Sequence, residues 1–182
     1  AIFSSHGIRP GLAVVRVGED PASAVYVGSK VKTSEELGIK SEHIHLPAET
    51  SHADLLGIIH GLNERDDIDG ILVQLPLPPQ IHASEVLEAI DPRKDGDGFH
   101  PVNVGRLSLG EEALVPCTPA GVIEILKRSD ITIAGKHAVI VGRSNIVGKP
   151  LAAILMQKKP HCNATVTVAR SQSEHLKALT RS

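Results

Sequence analysis

Aromatic side chains are almost missing from this chain. Its 182 residues include no Trp, one Tyr and two Phe: Phe3, Tyr26 and Phe99. Proteins that read single-stranded nucleic acid stack bases on such rings, so that class loses its platform. A net charge of −2 also removes the electrostatic footprint of a nucleic-acid or acidic-membrane partner. Cysteine is scarce, and Cys117 and Cys162 stand far apart with no CxxC spacing. They read as free thiols of a reducing compartment, not as a disulfide framework. No apolar run approaches the roughly 18 residues that would span a bilayer. Residues 1–10 lack the cationic, apolar and cleavage-site order of a secretory signal. A cytoplasmic protein is expected, with an organelle left open. The nearest histidine pair, His43-x-His45, has no third ligand beside it, so the expected site set contains no metal.

What remains is an ordinary globular composition with a regular alternation of strand and helix signals. Residues 11–17 (GLAVVRV) read as a buried strand ended by Gly18. Asp20 and Pro21 supply the N-cap and first position of a helix to about residue 37, stopped by Gly38. A weak strand over 44–46 ends at Pro47. Ser51 and Asp54 resemble a capping box opening a helix to about residue 63. Residues 71–75 form a third strand, closed by Pro76 and Pro78, which cannot donate to a ladder. A short helix covers 84–90. This alternation predicts an α/β fold with a parallel sheet and right-handed crossovers.

Periodicity then fails from 94 to 119, where Gly, Pro and Asn are frequent, and a long functional loop or linker is expected. Thr118 and Pro119 cap a helix over 120–127. A strand over 137–141, a glycine-bounded turn over 142–148, a helix opened by Lys149-Pro150, a strand over 164–169 and a helix over 174–180 follow. The expected domains are 1–117 and 118–182. A Rossmann unit needs about five or six strands. With two after residue 136, the chain is expected to be a fragment whose Rossmann-type part is truncated.

Four groups of residues carry chemistry. Tyr26 and Lys30 are four apart on a helix, so the phenol and the ammonium share a face. A ring beside a proton-donating amine suits a planar heterocycle, although a half-buried tyrosine beside a solvated lysine has the same spacing. Gln74 is a single polar residue at the carboxyl end of a buried strand, where ligands of open α/β sheets sit; it could equally cap that strand. Asp95-Gly96-Asp97-Gly98 puts two carboxylates in a turn that lacks the further ligands of a calcium loop. Gly142-Arg143-Ser144-Asn145-Ile146-Val147-Gly148 follows a strand and opens a helix, as a dinucleotide fingerprint does, but Ser144 replaces the second glycine. Its amides and helix N-terminus could hold a phosphate. The next strand ends in Arg170-Ser171 where an NAD-specific unit usually has an acid, and cations plus a hydroxyl suit the 2′-phosphate of NADP.

The stretches RPGLAVVRVGEDPAS, YV-x-SK, DGILVQLPLP, KDGDGFHPVNVGRL, PCTPAGV and VGRSNIVGKPLA, in this order, resemble the bifunctional methylenetetrahydrofolate dehydrogenase/methenyltetrahydrofolate cyclohydrolase family. The resemblance implies an N-terminal αβα catalytic domain, an NADP-binding Rossmann domain and a homodimer. It implies that Lys30 is the catalytic lysine of the cyclohydrolase step, that Tyr26 stacks on the folate and that Gln74 bonds and tunes Lys30. Leu75 and Pro76 join the substrate-binding set, and Asp97 binds the pterin edge. Gly142, Arg143, Ser144, Arg170 and Ser171 bind NADP, with Thr118 near the nicotinamide. Gly96 departs from the family's usual Val and Arg170 from its frequent His. The later Rossmann strands, a Pro-Gly-Gly loop and a first helix (missing or reduced to 1–6) have no counterpart here. The rival readings are a non-catalytic folate or dinucleotide binder, an inactive fragment, and a dehydrogenase for another small substrate.

Overall fold

The computed structural model describes residues 7–181. The expectation about a first helix over 1–6 lies outside the described residues. The chain forms two compact units, 1–96 and 97–182.

The first unit is built on three parallel strands. They are β1 (Gly11–Val17), β2 (Lys40–Leu46) and β3 (Gly70–Val73), in the order β2-β1-β3. Gly11 faces Lys40 and Leu12 faces Gly70. β1 is central, and its side chains alternate between two faces. Ala13, Val15 and Val17 pack with Leu55, Ile59 and Leu62 of α2 (His52–Asn63) and Val86 of α3 (Ala83–Ala89). Val14 packs instead with Leu72 and with Val27 of α1 (Pro21–Glu36). Helices therefore cover both faces of the sheet, the αβα architecture expected for an α/β unit with hydrophobic strands.

Local chemistry sets the helix starts. Asp20 accepts the Ser23 N–H at 2.7 Å and Pro21 occupies the first turn of α1. Ser51 accepts the Asp54 N–H at 3.1 Å, which opens α2. The C-terminal end of α2 is closed from a distance. Lys94 Nζ donates to the carbonyls of Asn63 at 2.8 Å and Arg65 at 2.7 Å, a cation on the negative end of a helix dipole. β2 is longer than the three residues expected, because pairing along the whole of β1 outweighs its polar sequence, KSEHIHL.

In the second unit β4 (His137–Val141) pairs in parallel with β5 (Thr165–Ala169), Val141 opposite Ala169. The stretch over 94–119 is not irregular throughout. It contains α4 (Pro101–Leu109), with the His100 ring accepting the Val102 N–H at 3.1 Å, Pro101 in the first turn and Gly110 as C-cap. Its density of Gly, Pro and Asn hides start and stop signals that are in place. The next helix, α5 (Cys117–Arg128), begins before the expected residue 120. Thr118 lies inside its first turn and does not cap it. Leu107 of α4 supplies the buried contact to Ile154 of α6 (Gly148–Met156). The last helix, α7 (Leu176–Leu179), is one turn, shorter than the expected 174–180.

Candidate active site

In the first unit Gln74 stands immediately after β3, not within it. Its backbone N–H still donates to Val15 of the central strand at 2.8 Å. This bond fixes the residue at the carboxyl edge of the sheet. The side chain is held at both ends: Nε2 donates to the Leu75 carbonyl at 2.8 Å, and Oε1 accepts from Lys30 Nζ at 3.3 Å. Lys30 comes from α1, whose start is locked by Asp20. The bonds from Ser23 hold the Asp20 carboxyl below the usual carboxylate range. Tyr26, one turn before Lys30, leaves 63% of its surface exposed. Leu75 is half-buried and Pro76 exposed, joined by a cis peptide bond.

The arrangement has a definite chemistry. A neutral amide oxygen fixes the position of the lysine nitrogen. The exposed phenol ring on the same helix face offers a surface for a flat ligand. Sequence spacing gives the Tyr26/Lys30 pair; the bond across the fold to Gln74 is a product of strand order.

In the second unit the register of β4 with β5 puts residues 142–144 and 170–171 at the same sheet edge. Gly142 N–H donates to Ala169 O at 2.8 Å and ties the turn to that edge. A Cβ on Gly148 would lie 2.4 Å from Gly142 O, so this crossing requires glycine. Ser144 departs from the anion cradle that the sequence suggests. Its Oγ accepts the N–H groups of Val147 at 3.1 Å and Gly148 at 3.3 Å, while its carbonyl accepts Lys149 N–H at 3.1 Å. Three donors at the start of α6 thus already have an internal acceptor, and the fourth position is Pro150. The Ser144 hydroxyl hydrogen remains available to donate. Arg143, Arg170 and Ser171 are exposed. Arg170 is aimed by its bond to Gln172 Oε1 at 2.7 Å, and its backbone N–H donates to Ser173 Oγ at 2.9 Å. Asp97 is half-buried in the turn before α4, and Thr118 is exposed on α5.

Two family models match the chain. That of the tetrahydrofolate dehydrogenase/cyclohydrolase catalytic domain covers residues 1–97, and that of the NAD(P)-binding domain covers 116–182. The bifunctional protein FolD of Dehalococcoides mccartyi is 58% identical over 180 residues, 99% of this chain and 61% of that protein. The Chlamydia trachomatis protein of the same name is 54% identical over 94% of this chain and 60% of its own length. The chain spans about three fifths of the length of the curated relatives it matches.

Among solved structures, the bifunctional FolD methylenetetrahydrofolate dehydrogenase/cyclohydrolase of Campylobacter jejuni superposes with a TM-score of 0.92 at 47% identity. The match covers 98% of this chain and 62% of that one. The Trypanosoma brucei methylenetetrahydrofolate dehydrogenase-cyclohydrolase, solved with NADP and an inhibitor, gives 0.86 at 37% identity, over 95% of this chain and 58% of that one. With both family models in register and a fold shared with these structures, the chain belongs to the tetrahydrofolate dehydrogenase/cyclohydrolase family.

Proposed function

We propose that the protein carrying this chain oxidises 5,10-methylenetetrahydrofolate with NADP to the 5,10-methenyl form, hydrolyses that product to 10-formyltetrahydrofolate, and acts as a homodimer. The observation that carries the reading is the Lys30–Gln74 bond on the helix face that also presents Tyr26. Family membership and the NADP-bound relative from T. brucei support the coenzyme.

Oxidation removes hydride from the methylene carbon and leaves a methenyl cation; bound NADP supplies the acceptor, nicotinamide C4. Water then adds to the methenyl carbon and gives up a proton. The bond from that carbon to one ring nitrogen breaks as the nitrogen takes a proton, so one proton is released overall. Lys30 is the group assigned to these transfers, with Gln74 holding its nitrogen in place. Tyr26 stacks on the folate, Leu75 and Pro76 border it, and Asp97 accepts hydrogen bonds from the pterin edge. Gly142, Ser144 and Ser171 contact the coenzyme. Arg143 and Arg170 meet its 2′-phosphate, and Thr118 lies near the nicotinamide. A non-catalytic binder has less support, because Tyr26, Lys30, Gln74 and Asp97 are all present.

The test is hydrolysis of methenyltetrahydrofolate by Lys30→Ala protein. Loss of proton transfer lowers the rate about 100- to 10,000-fold. Hydrolysis at the unsubstituted rate would overturn the assignment of Lys30.

A further inference from the structure

The i, i+2 pair His43 and His45 is not where the fold assembles metal-ligating groups. Its rings stack at 6.0 Å, and Arg16 Nη2 lies 3.2 and 3.0 Å from the two ring nitrogens of His45. A guanidinium at that distance competes with any cation.

A second set comes from two helix starts. His52 is the first residue of α2, His82 is the N-cap of α3, and Glu85 lies in the first turn of α3. His52 Nε2 is 2.9 Å from Glu85 Oε2, and His82 Nδ1 is 2.9 Å from Glu85 Oε1. Ligand atoms of the three residues all fall within 4.8 Å of one another. The placement is enforced from below and beside. Leu55 of α2 and Val86 of α3 are fully buried in one core cluster. Gln80 Nε2, just before α3, donates to the carbonyls of Ala48 and Thr50, just before α2. His52 Nδ1 is buried with no hydrogen-bond partner, and Nε2, which faces Glu85, is the ring nitrogen open to an ion.

We propose that His52, His82 and Glu85 form a binding site for a divalent transition-metal ion of the zinc class, with water completing the coordination. Two imidazoles and one carboxylate are the donor set that zinc and its neighbours take in three-residue sites. Ligand atoms about 2.0–2.2 Å from a tetrahedral ion stand about 3.4 Å apart. The two 2.9 Å separations widen to that value by rotation of His82 and Glu85, whose side chains are 66% and 57% exposed. His52, at 24%, is the fixed anchor. Both helices turn their positive ends toward the site, so the carboxylate is needed to accept a cation. An ion held here ties the start of α2 to the start of α3. Since it binds only the folded arrangement, it raises stability by mass action. The proposal is independent of the folate reading.

The experiment is calorimetric titration of chelator-treated protein with zinc chloride, with cobalt(II) absorption as a coordination probe. The expected result is one zinc per chain and a raised melting temperature. His82→Ala and Glu85→Gln each weaken binding about 10-fold or more, while His60→Ala, an exposed histidine elsewhere on α2, leaves it unchanged. Circular dichroism checks that both exposed variants stay folded. Binding of equal strength in wild type, His82→Ala and Glu85→Gln, or no saturable binding, would sink the proposal.

Discussion

Lys30 Nζ donates to Gln74 Oε1 at 3.3 Å across 44 positions of sequence, and the other end of the same amide is pinned to the Leu75 carbonyl. The glutamine is therefore an oriented acceptor and not a rotor. A group of this kind holds a lysine within the narrow tolerance that proton transfer requires, where a displacement of about 1 Å can cost about 100-fold. Gln74→Ala is expected to lower methenyltetrahydrofolate hydrolysis by about that factor. Its thermal melt stays close to wild type, because the side chain is only half-buried. A rate within experimental error of wild type would leave Gln74 as no more than a strand-end residue.

Arg143 and Arg170 stand exposed at the edge where β4 and β5 end. The start of α6 gives its amides to Ser144, and on the proposed function these two side chains meet the 2′-phosphate. Arg170→Ala is expected to raise KM for NADP about 10-fold, the loss of one charge-assisted contact, with KM for NAD unchanged. Parallel rises for both coenzymes would show that Arg170 does not read the 2′-phosphate.

Two glycines should respond to alanine with opposite signs. A Cβ on Gly11 would sit 1.9 Å from Asp67 O, and Gly11 exchanges bonds with Asp69 at 2.8 Å through both its N–H and its carbonyl. Gly11→Ala forces apart β1 and the chain entering β3, at a cost of about 1–3 kcal/mol. A Cβ on Gly57, inside α2, would meet nothing within 4 Å beyond its own helix backbone. Gly57→Ala gains about 0.5–1 kcal/mol through helix propensity and a less flexible unfolded chain. Urea midpoints measured on both variants check the pair.

Acid stability depends on carboxylates held ionised by arginines. Hydrogen bonds from the Arg93 side chain and backbone draw Asp91 from 3.8 down to about 2. Arg65 holds Glu42 and, with Lys40, Asp67 below the usual range. For a depressed group the stabilisation is complete above the unfolded value and disappears as pH falls through the folded one. The Asp91 contribution is therefore present above about pH 4 and lost between about pH 4 and 2. Asp91→Asn should flatten the fall of the urea midpoint in that window. An unchanged acid limb would assign it to other carboxylates.

By itself the sequence determined the local grammar. Asp20 and Ser51 as caps, Pro21 in a first turn and the Tyr26/Lys30 spacing each depend on residues within a turn or two; the strand expected over 71–75 ends at Val73. Motif order named the family. Where local signals conflicted, the reading failed: residues 101–109, inside the 94–119 segment where Gly, Pro and Asn are frequent, form a helix, and the polar residues 40–43 belong to β2. Only tertiary structure decided what meets across the fold. Strand order β2-β1-β3 brings Gln74 to Lys30, the 142–148 crossing gives three amides to Ser144, and the packing of α2 on α3 gathers His52, His82 and Glu85. These juxtapositions follow from register and burial of long-range core residues. That information is spread over the chain and resides in no single motif.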